Sequence, residues 1–386
     1  MLQTLEVENY RSLRSIVVPL GRLNVIQGAN GSGKSNLYKA LRLLADTAAG
    51  GVVGSLAREG GLKSTFWAGP EKISQGMRAG RVPVQGSSRK EPVRLKLGFS
   101  GKEFGYCVTM GLPAPAKSAF ALDPEIKREC IWSGQILRPS AVLVDRRGPL
   151  VKSREATGGW SVVTHGLATF DSMMTHCADP RNTPEMLMLR EEMRGWRFYD
   201  QFRTDLTAPA RLRQIGTHTP ILSHDGTDLA AALETILHIG DGDALNEAIG
   251  DAFPGGRVGV SSSDGWFEVE MHQHGLLRPL KAAELSDGTL RYLLWVAALL
   301  TPRPPGLLVL NEPETSLHPD LLPALGRLIA QTAARAQILI VSHAPALIDA
   351  LQQLPECHSI TLEKKFGETV IVGQEQPAVS WQWPAR

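Results

Sequence analysis

The chain has 386 residues, 43% of them hydrophobic and 21% charged, with a formal net charge of +2. This is ordinary globular composition, enough for one large domain or two modest ones, and it excludes a nucleic-acid partner held by global charge; any basic surface must be local. The four cysteines Cys107, Cys130, Cys177 and Cys357 form no CxxC pair, so neither a disulfide framework nor a zinc site is suggested and a reducing, cytoplasmic setting fits.

The opening MLQTLEVENYRSL lacks the basic-then-apolar layout of a signal peptide. Leu5 and Val7, then residues 16–18 after a short turn, predict a pair of strands. The run 23–28 predicts a third strand that stops at a glycine. From Ser35, the apolar residues Leu37, Ala40, Leu41 and Leu44 have helical spacing. Residues 48–90, rich in Gly, Ser and Arg, are expected to be loops with little regular structure. Strand patterns return at 93–99, 104–110 and 141–146. A charged helix is expected over 184–202 and another from Thr227. An alternating pair around Asp264-Gly265 reads as a hairpin. The last third alternates: helix 286–300, strand 307–311, helix 320–334, strand 337–341, helix 345–352, then a terminal hairpin. No apolar run approaches the roughly 18 residues of a membrane span. Parallel strands need long crossovers, so the first strand–loop–helix unit and the last α/β block can share one sheet with an insertion between them.

Four motifs carry chemistry. Gly28-Ala29-Asn30-Gly31-Ser32-Gly33-Lys34-Ser35 matches G-x-x-x-x-G-K-[ST] between a strand and a helix. Its glycines let successive N–H groups face phosphate oxygens, Lys34 supplies a cation, Ser35 a hydroxyl for Mg²⁺, and the helix start a partial positive charge. In GLLVLNEPETSLHP (306–319) a buried parallel strand precedes Glu312, placed where a carboxylate can orient an attacking water. Leu285-Ser286-Asp287-Gly288-Thr289 opens an apolar helix; it serves as an N-cap, or as an anion site of hydroxyl, glycine backbone and helix start. ILIVSH (338–343) puts His343 at the end of a core strand.

In this order the motifs resemble the ABC ATPases: Walker A, a signature (LSDGT beside the family's LSGGQ), Walker B with its glutamate, a D-loop and a switch histidine. The residues E-N-Y-R-S-L, G-A-N-G-S-G-K-S and N-E-P-E-T-S-L-H-P are most similar to the soluble RecF/SMC/OLD-like branch, in its group of stand-alone ATPases. The resemblance implies an α/β, ABC-type P-loop NTPase with a mixed or parallel core sheet, an antiparallel β subdomain and a helical insertion. The expected organisation is a single composite domain over 1–386, with an N-terminal lobe at 1–165, the insertion at about 166–255 and a C-terminal lobe at 256–386.

The resemblance also implies two ATPs sandwiched between two protomers. Asn30, Gly31, Ser32, Gly33, Lys34, Ser35 and Asn36 would hold the nucleotide, with Arg11 near it. Ser286, Asp287 and Gly288 would serve the partner's γ-phosphate. Glu312 would be general base, His343 the γ-phosphate switch, and Ser316-Leu317-His318 the D-loop. Ser35, Asn311 and, as Q-loop residue, Gln135 would lie on the Mg²⁺ side. The family's Walker B aspartate is Asn311 here; an amide accepts a hydrogen bond but brings no charge, so weaker Mg²⁺ binding and slow turnover are expected. The short insertion and the short stretch after His343 leave out a coiled coil and an appended nuclease, so a separate effector is expected, as in phage defence. The alternative is a DNA-binding RecF/SMC-like ATPase of repair or genome maintenance. Its candidate phosphate contacts are Arg190, Arg194 and Arg197 on one helical face, followed by Arg203, Arg211 and Arg213, against the plainer reading of a solvated, ion-paired face. His272 and His274 alternate on a strand without further ligands and read as surface.

Overall fold

The structure is a computed structural model and describes residues 1–71, 73–84, 92–113, 119–155, 157–374 and 383–384. The chain divides into two compact units. The first comprises residues 1–20, 28–195 and 360–386, and the second residues 21–27 and 196–359.

The first unit is built on an eight-stranded antiparallel sheet in the order Leu13–Pro19, Leu2–Tyr10, Leu95–Gly101, Phe104–Gly111, Glu125–Ser133, Val142–Arg147, Leu150–Arg154, Trp160–Thr164. Leu5 and Val7 are fully buried on one face of strand Leu2–Tyr10, and Thr4 and Glu6 are buried on the other, so the strand is covered on both faces over residues 4–7. Helix Lys34–Ala48 buries Leu37, Tyr38, Ala40, Leu41, Leu43 and Leu44 and packs beside helix Pro184–Gly195 and strand Leu2–Tyr10. The expected looseness of 48–90 is corrected. Helices Val52–Arg58, Leu62–Thr65 and Gln75–Arg78 lie there, and Val52, Leu56, Leu62 and Trp67 are buried. Residues 72 and 85–90 of that stretch fall outside the described residues. The charged helix ends at Gly195, not at 202; Arg197–Tyr199 is a strand, paired in parallel with residues 308–310, and its Phe198 and Tyr199 are both buried, as in a strand covered on both faces.

The second unit contains four parallel strands in the order Arg197–Tyr199, Leu307–Asn311, Gln337–Val341, Leu23–Gln27. The middle two match the bounds expected from their apolar runs. Asn311 pairs with Val341 and Val341 with Ile26, so three strands end together at one edge, where open α/β sheets place their ligands. Helix Asp287–Leu299 is buried from Leu290 to its end among helices Leu229–Ile239, Gly242–Ala252 and Leu322–Ala333. The hairpin Arg257–Ser263/Trp266–His272 turns at Asp264 (φ 53°) and Gly265 (φ 79°), the left-handed pair of a two-residue turn. No helix among the described residues is long and apolar enough to cross a membrane.

Candidate functional site

Each unit carries part of the motif set. In the first, the loop from Gly28 to Gly33 wraps to the start of helix Lys34–Ala48. Gly28 and Gly33 have φ of 147° and 107°, and both are pressed by neighbours. A Cβ at Gly28 would lie 2.2 Å from the Leu362 carbonyl oxygen, and one at Gly33 2.1 Å from Thr369 Oγ1. No L side chain fits either place. The helix has no side-chain N-cap bond and no acidic residue in its first turn, so its start remains electropositive.

Lys34 Nζ donates to the carbonyls of Gly28 (2.6 Å) and Ala29 (3.2 Å). The loop thus closes around the ammonium in a ring. Ser32 Oγ is buried with no hydrogen-bond partner, while Asn30, Gly31 and Ser35 are exposed. A cradle closed to side chains, an orphaned hydroxyl, a positive helix start and one cation suit a polyphosphate.

The loop is braced from two sides. Ser12 Oγ bonds Thr369 Oγ1 (2.7 Å) and accepts from Asn36 Nδ2 (2.8 Å), and Thr369 Oγ1 donates to the Ser32 carbonyl (2.8 Å). Arg11, also left-handed (φ 50°), is tied to Glu59 at 2.6 Å. Thus Ser12 reaches the P-loop helix, through Asn36, while Arg11 anchors the same turn. Ser12 lies in the E-N-Y-R-S-L run without an expected role there, and Thr369 carries no motif signal. Gln135 is exposed in the bend after Gly134, and its side chain makes no hydrogen bond among the described residues.

In the second unit, Asn311 closes its strand with Oδ1 buried and lacking a hydrogen-bond partner. Glu312 follows in a left-handed conformation (φ 50°), its N–H bonded to the Val341 carbonyl at 2.7 Å and its carboxylate partly exposed. A non-glycine residue held there is strained backbone of the kind that gathers at functional sites. His343 Nδ1 stands 3.8 Å from Glu312 Oε1 and 3.3 Å from Glu314 Oε1.

Glu314, also unanticipated, organises this corner. Its buried Oε1 accepts from Ser342 Oγ (2.7 Å), His343 N (2.8 Å) and Ala344 N (3.2 Å). One carboxylate therefore fixes the backbone that aims His343, by charge-assisted hydrogen bonds. Its only signal in the sequence is the second acid of N-E-P-E. The structure brings Glu312, His343 and the strand end at Asn311 together.

Ser286 is realised as an N-cap, its Oγ accepting from Thr289 N at 3.1 Å. Ser286 and Asp287 are exposed, and Gly288 lies against the D-loop: a Cβ there would sit 3.5 Å from the Ser316 carbonyl oxygen. Ser316 itself is left-handed (φ 62°). Arg211, expected among phosphate-contacting arginines, is instead buried. Its guanidinium donates to the carbonyls of Thr204, Ala282 and Leu285 and to Asp287 Oδ1 (2.6 Å). Arg190 and Arg194 pair with Glu191, and Arg203 pairs with Asp205; Arg197 lies on a strand, off the helical face. Among the described residues no group of three or more His, Cys, Asp and Glu side chains could hold a metal ion.

A family profile described as "AAA domain, putative AbiEii toxin, Type IV TA system" matches residues 23–349. The chain belongs to this family. No curated protein matches this AAA/ABC-type ATPase. Among solved structures it is similar to the SmcHead bound to the C-winged helix domain of ScpA, with 13% identity, 96% of this chain and 97% of that chain covered and a TM-score of 0.51. It is also similar to an Smc head domain with an extended coiled coil from Pyrococcus furiosus (12% identity, 96% and 95% covered, TM-score 0.49) and to an SMC head domain from Thermotoga maritima (14%, 96% and 98%, 0.44). The first likeness shows the fold, that of an SMC head. The expected mixed α/β, ABC-type architecture is therefore borne out.

Proposed function

We propose that this ATPase binds ATP on its P-loop, hydrolyses it slowly between two copies of the chain, and uses the nucleotide state to govern a separate effector protein. The observation that carries the reading is the loop from Gly28 to Gly33, closed to a Cβ at Gly28 and Gly33, with Lys34 and an orphaned Ser32 hydroxyl in it. In this reading Asn30 to Asn36 hold the phosphates, and Arg11 steadies the neighbouring turn. Ser35 and Asn311 offer oxygens on the Mg²⁺ side, with Gln135 as Q-loop residue. Bound Mg²⁺ would neutralise phosphate charge.

Glu312 is the general base that orients water, and His343, aimed by Glu314, senses the γ-phosphate. Lys34 must leave the Gly28 and Ala29 carbonyls to meet phosphate, so binding exchanges neutral hydrogen bonds for charge-assisted ones. Ser286, Asp287 and Gly288 of one copy serve the nucleotide of the other. A role in a multi-protein system is supported by the family's description, which names a putative AbiEii toxin and a type IV TA system. It is also supported by the SmcHead relative, which is bound by a domain of another protein.

Titration with a fluorescent ATP analogue, together with phosphate release, tests the nucleotide part. Lys34→Ala is expected to weaken binding tenfold or more, since a charge-assisted contact is worth about 1.5–3 kcal/mol. Glu312→Gln is expected to bind normally and to stop releasing phosphate. Equal binding by Lys34→Ala and the parent would sink the reading.

A further inference from the structure

Cys107 and Cys130 are far apart in sequence but face each other across the strands Phe104–Gly111 and Glu125–Ser133, where they are direct register partners. Both are buried, and both are free thiols. With Trp132 and Val142 they form a small apolar cluster, over which only partly buried Leu137, Ala141 and Trp383 pack. The nucleotide chemistry uses neither thiol.

Register partners on antiparallel strands have Cα atoms roughly 4.5–5.5 Å apart. That range lies inside the roughly 4.4–6.8 Å window a disulfide accepts. Bridging the pair therefore needs rotation about the two Cα–Cβ bonds and no strand movement.

We propose that Cys107 and Cys130 are an oxidisable dithiol that a peroxide converts into a cross-strand disulfide within one chain. One thiolate attacks the peroxide O–O bond, giving a sulfenic acid and, after protonation of the leaving hydroxide, water. The second thiolate attacks the sulfenic sulfur, forms the S–S bond and expels hydroxide, protonated to a second water. In sum two thiols and one hydrogen peroxide give one disulfide and two waters; the sulfurs lose two electrons and the peroxide gains them. Burial holds the Cys107 thiol well above its ordinary pKa, which keeps the pair reduced under mild conditions and makes the reaction slow, because the thiolate is the nucleophile. The partly buried cover of Leu137, Ala141 and Trp383 sets the path for a small oxidant. The product staples two neighbouring strands of the first unit's sheet.

The test uses the full chain, purified in reductant, freed of it and titrated with hydrogen peroxide in native buffer. The remaining thiols are then alkylated in denaturant and the peptides are mapped. The expected result is a Cys107–Cys130 linked peptide in monomeric chain, two hydrogens lighter than its reduced parts and reversed by dithiothreitol. Cys177, buried but outside the Cys107–Cys130 cluster, should stay alkylatable. Oxidised chain should melt above reduced chain, and Cys130→Ser should abolish both effects. Full alkylation of Cys107 and Cys130 at peroxide levels that oxidise half-buried Cys357 overturns the proposal. So does their separate conversion to sulfinic acids, or a bridge to any other cysteine.

Discussion

At the scale of single residues, two groups show how position sets chemistry. Asn311 ends a core strand with a buried carbonyl oxygen that no protein donor satisfies. An unsatisfied buried acceptor costs free energy; in the proposed reading the donor that satisfies it arrives with the nucleotide, as a metal-bound water. Asn311→Asp adds the missing charge. It is expected to lower the Mg²⁺ midpoint of ATP hydrolysis about tenfold, one charge-assisted contact, and to speed turnover; a Mg²⁺ titration with an unchanged midpoint refutes this. Glu6 is different. It is buried with Oε2 unpartnered, and burial first, then the Glu8 carboxylate, raise its pKa to about 9. Between an unfolded value near 4.5 and about 9, the folded chain holds a proton that the unfolded chain has lost. Stability therefore falls as pH rises through that window. Glu6→Gln removes this slope. Relative to the parent it should gain on the order of 4 kcal/mol more at pH 8 than at pH 5, read as denaturant midpoints at the two pH values; parallel pH profiles would count against it.

At the scale of elements, Arg211 shows why some of the molecule was legible in the sequence and some was not. The strands Leu307–Asn311 and Gln337–Val341 were legible to the residue because a strand covered on both faces must be a short apolar run. The glycine loop before helix Lys34–Ala48, the strand end at Asn311 and the cap at Ser286 were legible because backbone geometry dictates their residue types. The strand Glu125–Ser133 was missed because it hides a charge. Glu129 is fully buried against Arg146, Tyr106 and Ser172, so a core strand reads as a polar one. Helix Gly242–Ala252 was missed among polar residues, although Asp241 caps it. Arg211 reads as one of a run of cations but is a buried latch whose partners, at 204, 282, 285 and 287, meet it only in the fold. Arg211→Met should leave those carbonyls without a donor and cost about 2–4 kcal/mol, measured by denaturant unfolding. Arg211→Lys should recover only part, since an ammonium cannot reproduce the planar fork. Asp287→Asn, at an exposed side chain, should cost under about 1 kcal/mol. Equal losses for Arg211→Met and Asp287→Asn would show that the ion pair, and not the carbonyl latch, is what matters.

At the scale of the whole molecule, the signature decides between a machine of two copies and a simple capped helix. Ser286 satisfies Thr289 N and Asp287 is held by Arg211, so within one chain this helix start is already complete. Yet both residues are exposed, and Gly288 keeps the surface beside the D-loop free of a side chain. A helix start kept flat and open beside a strained loop is what a second copy's phosphate needs, whereas a cap alone requires no glycine there. If two copies close on two ATPs, nucleotide binding and association are linked, and each must strengthen the other. Blocking hydrolysis should then trap the closed form. The solution mass of Glu312→Gln is expected to double with Mg-ATP and to remain single with Mg-ADP. Adding Ser286→Arg, which puts a long side chain where the phosphate must approach, should abolish the doubling while leaving ATP binding to the P-loop intact. If the mass never responds while ATP binds, the signature is a capped helix in this chain or the second half of the clamp is a different protein. If Ser286→Arg still doubles, association runs through another surface and the sandwich is wrong.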